Sequence, residues 1–170
     1  MQYFVTGASG FIGKRLVETL LRRKGTTIYI LLRGKNVRRT EALLQHWGAD
    51  DKGPHKGRVV PVTGDLGEDE LGVGAADRKK LEGKVKHLFH LAAVYDLKAS
   101  AEEQELANIT GTRNVVQFVN AIGVSCFHHI SSIAAAGLYE GVFREDMFDE
   151  AENLDHAYFQ TKHESEKIVR

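Results

Sequence analysis

The sequence predicts an α/β fold, a doubly wound parallel sheet with helices on both faces. Three observations predict it. A glycine-rich turn follows a short apolar strand near the start of the chain. β-Branched apolar runs that read as buried strands then alternate with stretches of helical periodicity. The 170 residues fit one domain with a single core, long enough to bury roughly two thirds of the unfolded surface.

Residues 3–5 read as the first strand. Phe11, Ile12, Leu16, Val17, Leu20 and Leu21 recur at helical spacing until Gly25 ends the pattern. Residues 27–32 form an almost unbroken apolar run, as expected of a strand covered on both faces, and a helix over about 37–47 follows. Residues 58–62, 85–91 and 125–131 read as the third, fourth and fifth strands, with an amphipathic helix over 101–121 between the last two. The glycine- and acid-rich stretch 64–83 predicts a loop and a short helix. From Asp155 the chain is helical and charged, and no further strand follows. Residues 1–170 are therefore expected to be a fragment of a longer protein, lacking a C-terminal substrate-binding part and turning over little alone.

Twenty-three basic residues balance 23 acidic ones, so no global field favours nucleic acid or an anionic membrane. No apolar run reaches the roughly 18 residues of a membrane span, and no signal peptide precedes the first strand. A cytoplasmic protein without a transmembrane segment is expected. Cys126 is the one cysteine, which excludes an internal disulfide and a CxxC pair.

Gly7, Gly10 and Gly13 stand where a strand hands over to a helix, within TGASGFIG, which also contains Ser9, Phe11 and Ile12. Backbone amides and the positive helix end there can face a pyrophosphate, as in a Rossmann-type dinucleotide site, although the spacing is GxxGxxG rather than GxGxxG. An NAD site would place an acid at the end of the second strand to bond ribose hydroxyls, and here that strand runs into Arg33. Arg33, Lys35, Arg38 and Arg39 form a run without acids. A guanidinium there can hold a 2′-phosphate, which favours NADP(H), with Arg33 the first choice. Asp65, followed by Leu66 in GDL, suits either the adenine amino group or a helix cap.

Tyr158 and Lys162 lie at i and i+4, one turn apart on one helical face. A phenol, which ionises near ~10, exchanges protons near neutrality only with help, and a neighbouring ammonium provides it. Ser131 and Ser132 close the fifth strand at the carboxyl edge, where such sheets bind ligands. Asn108 sits inside a helix that its amide does not favour.

At these residues the chain resembles the extended short-chain dehydrogenase/reductase family. TGASGFIG, GDL, HLAA, the helical Asn108, SSIAAAG and YFQTK occur in that family's order over essentially the whole chain. The resemblance implies that Ser132 polarises a carbonyl, Tyr158 is the acid/base, Lys162 assists Tyr158 and holds the ribose, and Asn108 supports the proton relay. Ser132 is preferred to Ser131 by its distance to Gly137. Ala92 and Ala93 would line the cofactor near the nicotinamide-side ribose. HLAAVYDL, GTRNVVQF and FHHISSIAAAG are most similar to bacterial NADPH-dependent fatty acyl-CoA reductases. That similarity implies a small-molecule substrate, a long-chain fatty acyl-CoA or the derived aldehyde, with the thioester reduced to the aldehyde and a second reduction to the alcohol left open. Two other functions fit the same residues: a dehydrogenase or epimerase of nucleotide sugars or sterols, and a non-catalytic NADP-sensing module, against which the intact Ser132, Tyr158 and Lys162 argue.

His87, His90, His128 and His129 invite a metal site, but His128 and His129 point to opposite faces of a strand and no carboxylate cluster accompanies them. Buried, hydrogen-bonded histidines and no metal are expected, and a buried, small apolar role for Cys126. Tyr95 and Asp96 follow the fourth strand at the ligand-binding edge and either touch substrate or begin a loop. Glu102, Glu103 and Glu105 open a helix where negative charge suits the dipole.

Overall fold

The computed structural model describes residues 1–34, 36–96 and 98–170. Five strands, β1 (Gln2–Thr6), β2 (Thr27–Leu32), β3 (Val59–Thr63), β4 (Val85–His90) and β5 (Cys126–His129), form one sheet in the order β3-β2-β1-β4-β5. Every pair is parallel. The intervening helices are α1 (Phe11–Leu21), α2 (Val37–His46), α3 (Ala75–Leu81), α4 (Ala101–Gln104), α5 (Gly111–Ile122) and α6 (Ala157–Val169). This is the predicted Rossmann-type sheet, and the expected elements are found with boundaries shifted by a few residues.

The central strand explains the layering. Tyr3 and Val5 point to one side, where they pack with Val17, Leu20 and Leu21 of α1 and with Leu43 and Trp47 of α2. Phe4 points to the other side and meets Phe118, Val115, Val119 and Ile122 of α5, with Leu81 of α3. Trp47 also donates its indole N–H to the carbonyl of Lys14, 3.2 Å away, tying α2 to α1.

Two departures from the sequence reading bear on the site. The helix expected over 101–121 is broken in register, because Glu105–Thr110 is π-helical between α4 and α5. Its start matches expectation and is locked by a capping box in which Ser100 and Glu103 exchange side-chain to backbone bonds. The second departure is a 3₁₀ turn, Ile133–Ala136, capped by the Ser132 hydroxyl directly after β5.

Phe118 is fully buried and lies tilted against Phe4, with ring centroids 5.1 Å apart. Phe118→Ala should lower the unfolding free energy by about 3–5 kcal/mol, read as a shift in the urea midpoint at unchanged slope.

Candidate active site

β1 and β4 are neighbours, and the chain leaves their carboxyl ends in opposite directions, from β1 toward β2 and from β4 toward β5, so a crevice opens between them. Gly7 stands at its rim with φ of +72°. A Cβ on Gly7 would lie 2.6 Å from the amide nitrogen of Ala92, just after β4. A Cβ on Gly13 would lie 2.2 Å from the Gly7 carbonyl oxygen. Gly10 occupies the N-cap of α1, and among the described residues no side chain caps the amides of the first turn. Those orphan donors and the helix dipole suit a phosphate.

A cleft of about 290 Å³ continues from this turn across the carboxyl ends of β2 and β3. Gly7, Ser9, Arg33, Asp65, Leu66 and Ala92 line it, all of them named from sequence. Phe11 and Ile12 stand exposed on the first turn of α1. Arg33 and Asp65 meet inside the cleft, Nε to Oδ2 at 2.9 Å, while Asp65 Oδ1 accepts a bond from the Gly67 amide. Sequence reasoning undervalued Arg39, which lines the same cleft and donates from Nη2 to Ser9 Oγ at 2.9 Å. The spacing from Arg33 gave no hint of this, because α2 must fold back over the glycine turn to bring Arg39 there. Lys35 lies outside the described residues, and Arg38 does not line the cleft. The uncapped helix end and the close approach at Gly7 fit a nicotinamide dinucleotide.

The crevice is braced by a buried polar chain that the sequence did not announce. Thr6 Oγ1 lies 2.7 Å from His90 Nδ1, and His90 Nε2 lies 3.2 Å from Thr112 Oγ1. Burial, and then the charges of His129 and Lys162, hold the His90 imidazole at about 3, so the ring is neutral at pH 7.

Beyond it, Tyr158 and Lys162 project from α6 toward the end of β5. Tyr158 Oη lies 3.5 Å from Ser132 Oγ, which also caps the 3₁₀ turn by accepting from the Ala134 amide. Ser131 instead donates to Glu166 Oε2 at 2.6 Å. Lys162 is 3 % exposed, and its ammonium donates to the Ile130 carbonyl at 3.2 Å. Burial depresses its pKa, with the Glu166 carboxylate opposing. Asn108, in the π-helical segment, accepts from the Val94 amide and donates to the Val94 carbonyl and to Thr161 Oγ1, at 2.8, 3.0 and 3.1 Å. It thus clamps the loop carrying Ala92 and Ala93 to the helix carrying Tyr158 and Lys162. Tyr95 is exposed in that loop, and neither it nor Asp96 lines the dinucleotide cleft. A second cleft, about 650 Å³, adjoins Ser132 and is lined by Gly137, Tyr139, Phe143, Met147 and Arg170.

Three expectations about the strands need correction. Cys126 is exposed, because it begins β5 at the edge of the described sheet. His87 and His128 are only half buried and bond to each other at 3.0 Å, in contrast to the buried His90. His129 has both ring nitrogens buried without a partner among the described residues, against the expected hydrogen-bonded ring. Burial and then the Lys162 charge hold His129 at about 4, although Glu166 pulls the other way.

A family model described as male sterility protein matches residues 5–170. The chain belongs to this family, a branch of the extended short-chain dehydrogenases/reductases. The male sterility family consists of NAD(P)-dependent oxidoreductases with nicotinamide-dinucleotide-binding sheets of this kind. Among its relatives is the Drosophila melanogaster protein CG8306, provisionally named a fatty acyl-CoA reductase, 36% identical over 141 residues. Those residues are 76% of this chain and 27% of that protein. A linear gramicidin synthase from Brevibacillus parabrevis is 30% identical over 177 residues, 97% of this chain and 3% of that protein. The solved terminal R domain of the myxalamid PKS-NRPS pathway superposes with a TM-score of 0.83 at 27% identity, over 99% of this chain and 44% of that one. The chain therefore spans less than half the length of these relatives.

The pKa values of His90 and His129 set a pH dependence. Both lie below the 6.5 of free imidazole, so the unfolded chain binds more protons than the folded one between those values. The stability that depends on neutral rings is present above pH 6.5 and is lost as pH falls toward about 4 and then 3. The urea midpoint should drop over that window, and His129→Gln should make the drop shallower. An equally steep drop in the variant would show that His129 is not a source of it.

Proposed function

We propose that residues 1–170 form the NADPH-binding part of a longer reductase that converts an acyl thioester, such as a long-chain fatty acyl-CoA, to the aldehyde and on to the alcohol. The observation that carries this reading is the 3.5 Å approach of Tyr158 Oη to Ser132 Oγ, with Lys162 buried one turn further along α6. The exposed apolar side chain of Ile133, which lines the cleft beside Ser132, suits an acyl substrate. A cytoplasmic setting goes with this reading, and among the described residues no helix is long and apolar enough to cross a membrane.

NADPH held along the cleft from Gly7 to Arg33 would supply one hydride for each reduction. Ser132 donates a hydrogen bond to the thioester carbonyl, stabilising charge as it develops on oxygen. Tyr158 gives its proton to that oxygen as the carbonyl carbon is reduced, and the resulting hemithioacetal breaks its C–S bond to release thiol and aldehyde. Lys162 holds positive charge beneath the tyrosine and reaches toward the ribose. Asn108 acts by position, fixing the loop of Ala92 and Ala93 against α6. Arg33, paired with Asp65 in the cleft, would hold the 2′-phosphate, with Arg39 as a second guanidinium beside it, and Asp65 would accept from the adenine amino group.

A second reading concerns only the thiol. The gramicidin synthase and the myxalamid R domain belong to assembly lines named for peptide and polyketide synthesis, and both match nearly the whole chain. An acyl group carried on a thiolation domain is therefore the alternative donor to acyl-CoA.

In the full-length protein, NADPH consumption followed with acyl-CoA, with an acylated thiolation domain and with a UDP-sugar separates these substrates. Dependence on neither thioester would end the proposal. Tyr158→Phe should cut thioester-dependent turnover on the order of 10² to 10⁴ fold with cofactor binding nearly unchanged. Arg33→Ala should weaken NADPH binding by about tenfold to hundredfold, the loss of one charge-assisted bond, and spare NADH. Equal losses for both cofactors would remove Arg33 as a phosphate reader.

A further inference from the structure

β4 and β5 pair with His87 opposite Cys126 and Phe89 opposite His128. Side chains alternate across a strand, so His87, Cys126 and His128 share one face of the sheet, while His90 and His129 lie on the other. One donor atom from each of His87, Cys126 and His128 lies within 4.8 Å of the other two. His87 Nδ1 and His128 Nε2 are already 3.0 Å apart. Two imidazoles on a tetrahedral zinc ion, with bonds near 2.1 Å, stand about 3.4 Å apart, and a thiolate sits slightly further out. The strand pairing sets the three backbones, so the adjustment left to an ion falls on the side chains.

The rings are held by their neighbours. Tyr3 stacks on His87 with centroids 5.7 Å apart, and Phe89 lies nearly parallel to His128 at 4.3 Å. Cys126 is exposed, so its thiol can be reached from solvent and can release its proton when an ion binds.

We propose that His87, Cys126 and His128 form a binding site for Zn²⁺ or a divalent ion of similar softness, with a fourth position left to water. One thiolate with two imidazoles selects such ions over Mg²⁺ and Ca²⁺, which prefer oxygen donors. His87 and Cys126 form the first pair of the β4–β5 ladder, whereas the residues of the candidate active site gather beyond its last pair, His90 and His129. The ion therefore takes no part in hydride transfer. It staples β5, an edge strand of the described sheet, to β4, and the proposal stands whether or not the protein reduces thioesters.

The test is a Co²⁺ titration of the full-length protein, reduced and freed of metal by chelator. A 1:1 complex is expected, with tetrahedral d–d bands and a thiolate-to-cobalt charge-transfer band, displaced by Zn²⁺. Zn²⁺ should also raise the unfolding temperature. Cys126→Ser, at an exposed position, should keep the metal-free unfolding temperature and lose both the charge-transfer band and the stabilisation by Zn²⁺. His87→Gln and His128→Gln should each weaken Co²⁺ binding. No charge-transfer band, unchanged binding in both histidine variants, or one ion bridging two chains through two Cys126 thiolates would each overturn the site.

Discussion

Much of this structure depends on the contact between the glycine turn after β1 and the backbone that leaves β4. Leu91 and Ala92 approach Gly7 so closely that no Cβ fits between them, and Gly13 approaches the Gly7 carbonyl in the same way. This packing sets the crevice between β1 and β4 and aims the uncapped end of α1 across it. The Thr6, His90 and Thr112 chain locks the same junction from inside, with an imidazole that burial keeps neutral. A charged ring in that position would have to be stripped of water with only hydroxyl groups for company.

The Asn108 amide joins the candidate active site to this junction. Asn108 spends its hydrogen bonds on Val94 and Thr161, so the loop from β4 and the helix bearing Tyr158 and Lys162 are positioned together. The π-helical turn around Asn108 supplies the change of register within an otherwise regular helix, a feature frequent at functional sites. Lys162 is buried one turn from Glu166, which also anchors Ser131 and Arg170. The charge beneath Tyr158 thus sits in a network of fixed partners.

The sheet was legible in the sequence because its signals are local. A strand covered on both faces must be apolar throughout, as Thr27–Leu32 is, and an amphipathic helix repeats every third or fourth residue, as Phe11–Leu21 does. The glycine turn was legible for the same reason, since only glycine tolerates such close backbone approach. The π-helical segment and the 3₁₀ turn were not, because their residues carry no periodicity that separates them from an α-helix or a loop. Cys126 was misjudged because strand residues alternate between faces and an edge strand leaves part of one face open. Its exposure depends on which strand lies beside β5.

What the sequence determined by itself was the order of elements, the glycine turn and the spacing of Tyr158 and Lys162 on one helix. Each follows from backbone geometry over a few residues. The tertiary structure alone decided which distant side chains meet: Arg33 with Asp65, Arg39 with Ser9, Ser132 with Tyr158, and His87 with His128 and Cys126. Those meetings depend on strand order and on the ladder register, which are set by packing across the sheet rather than by any stretch of chain.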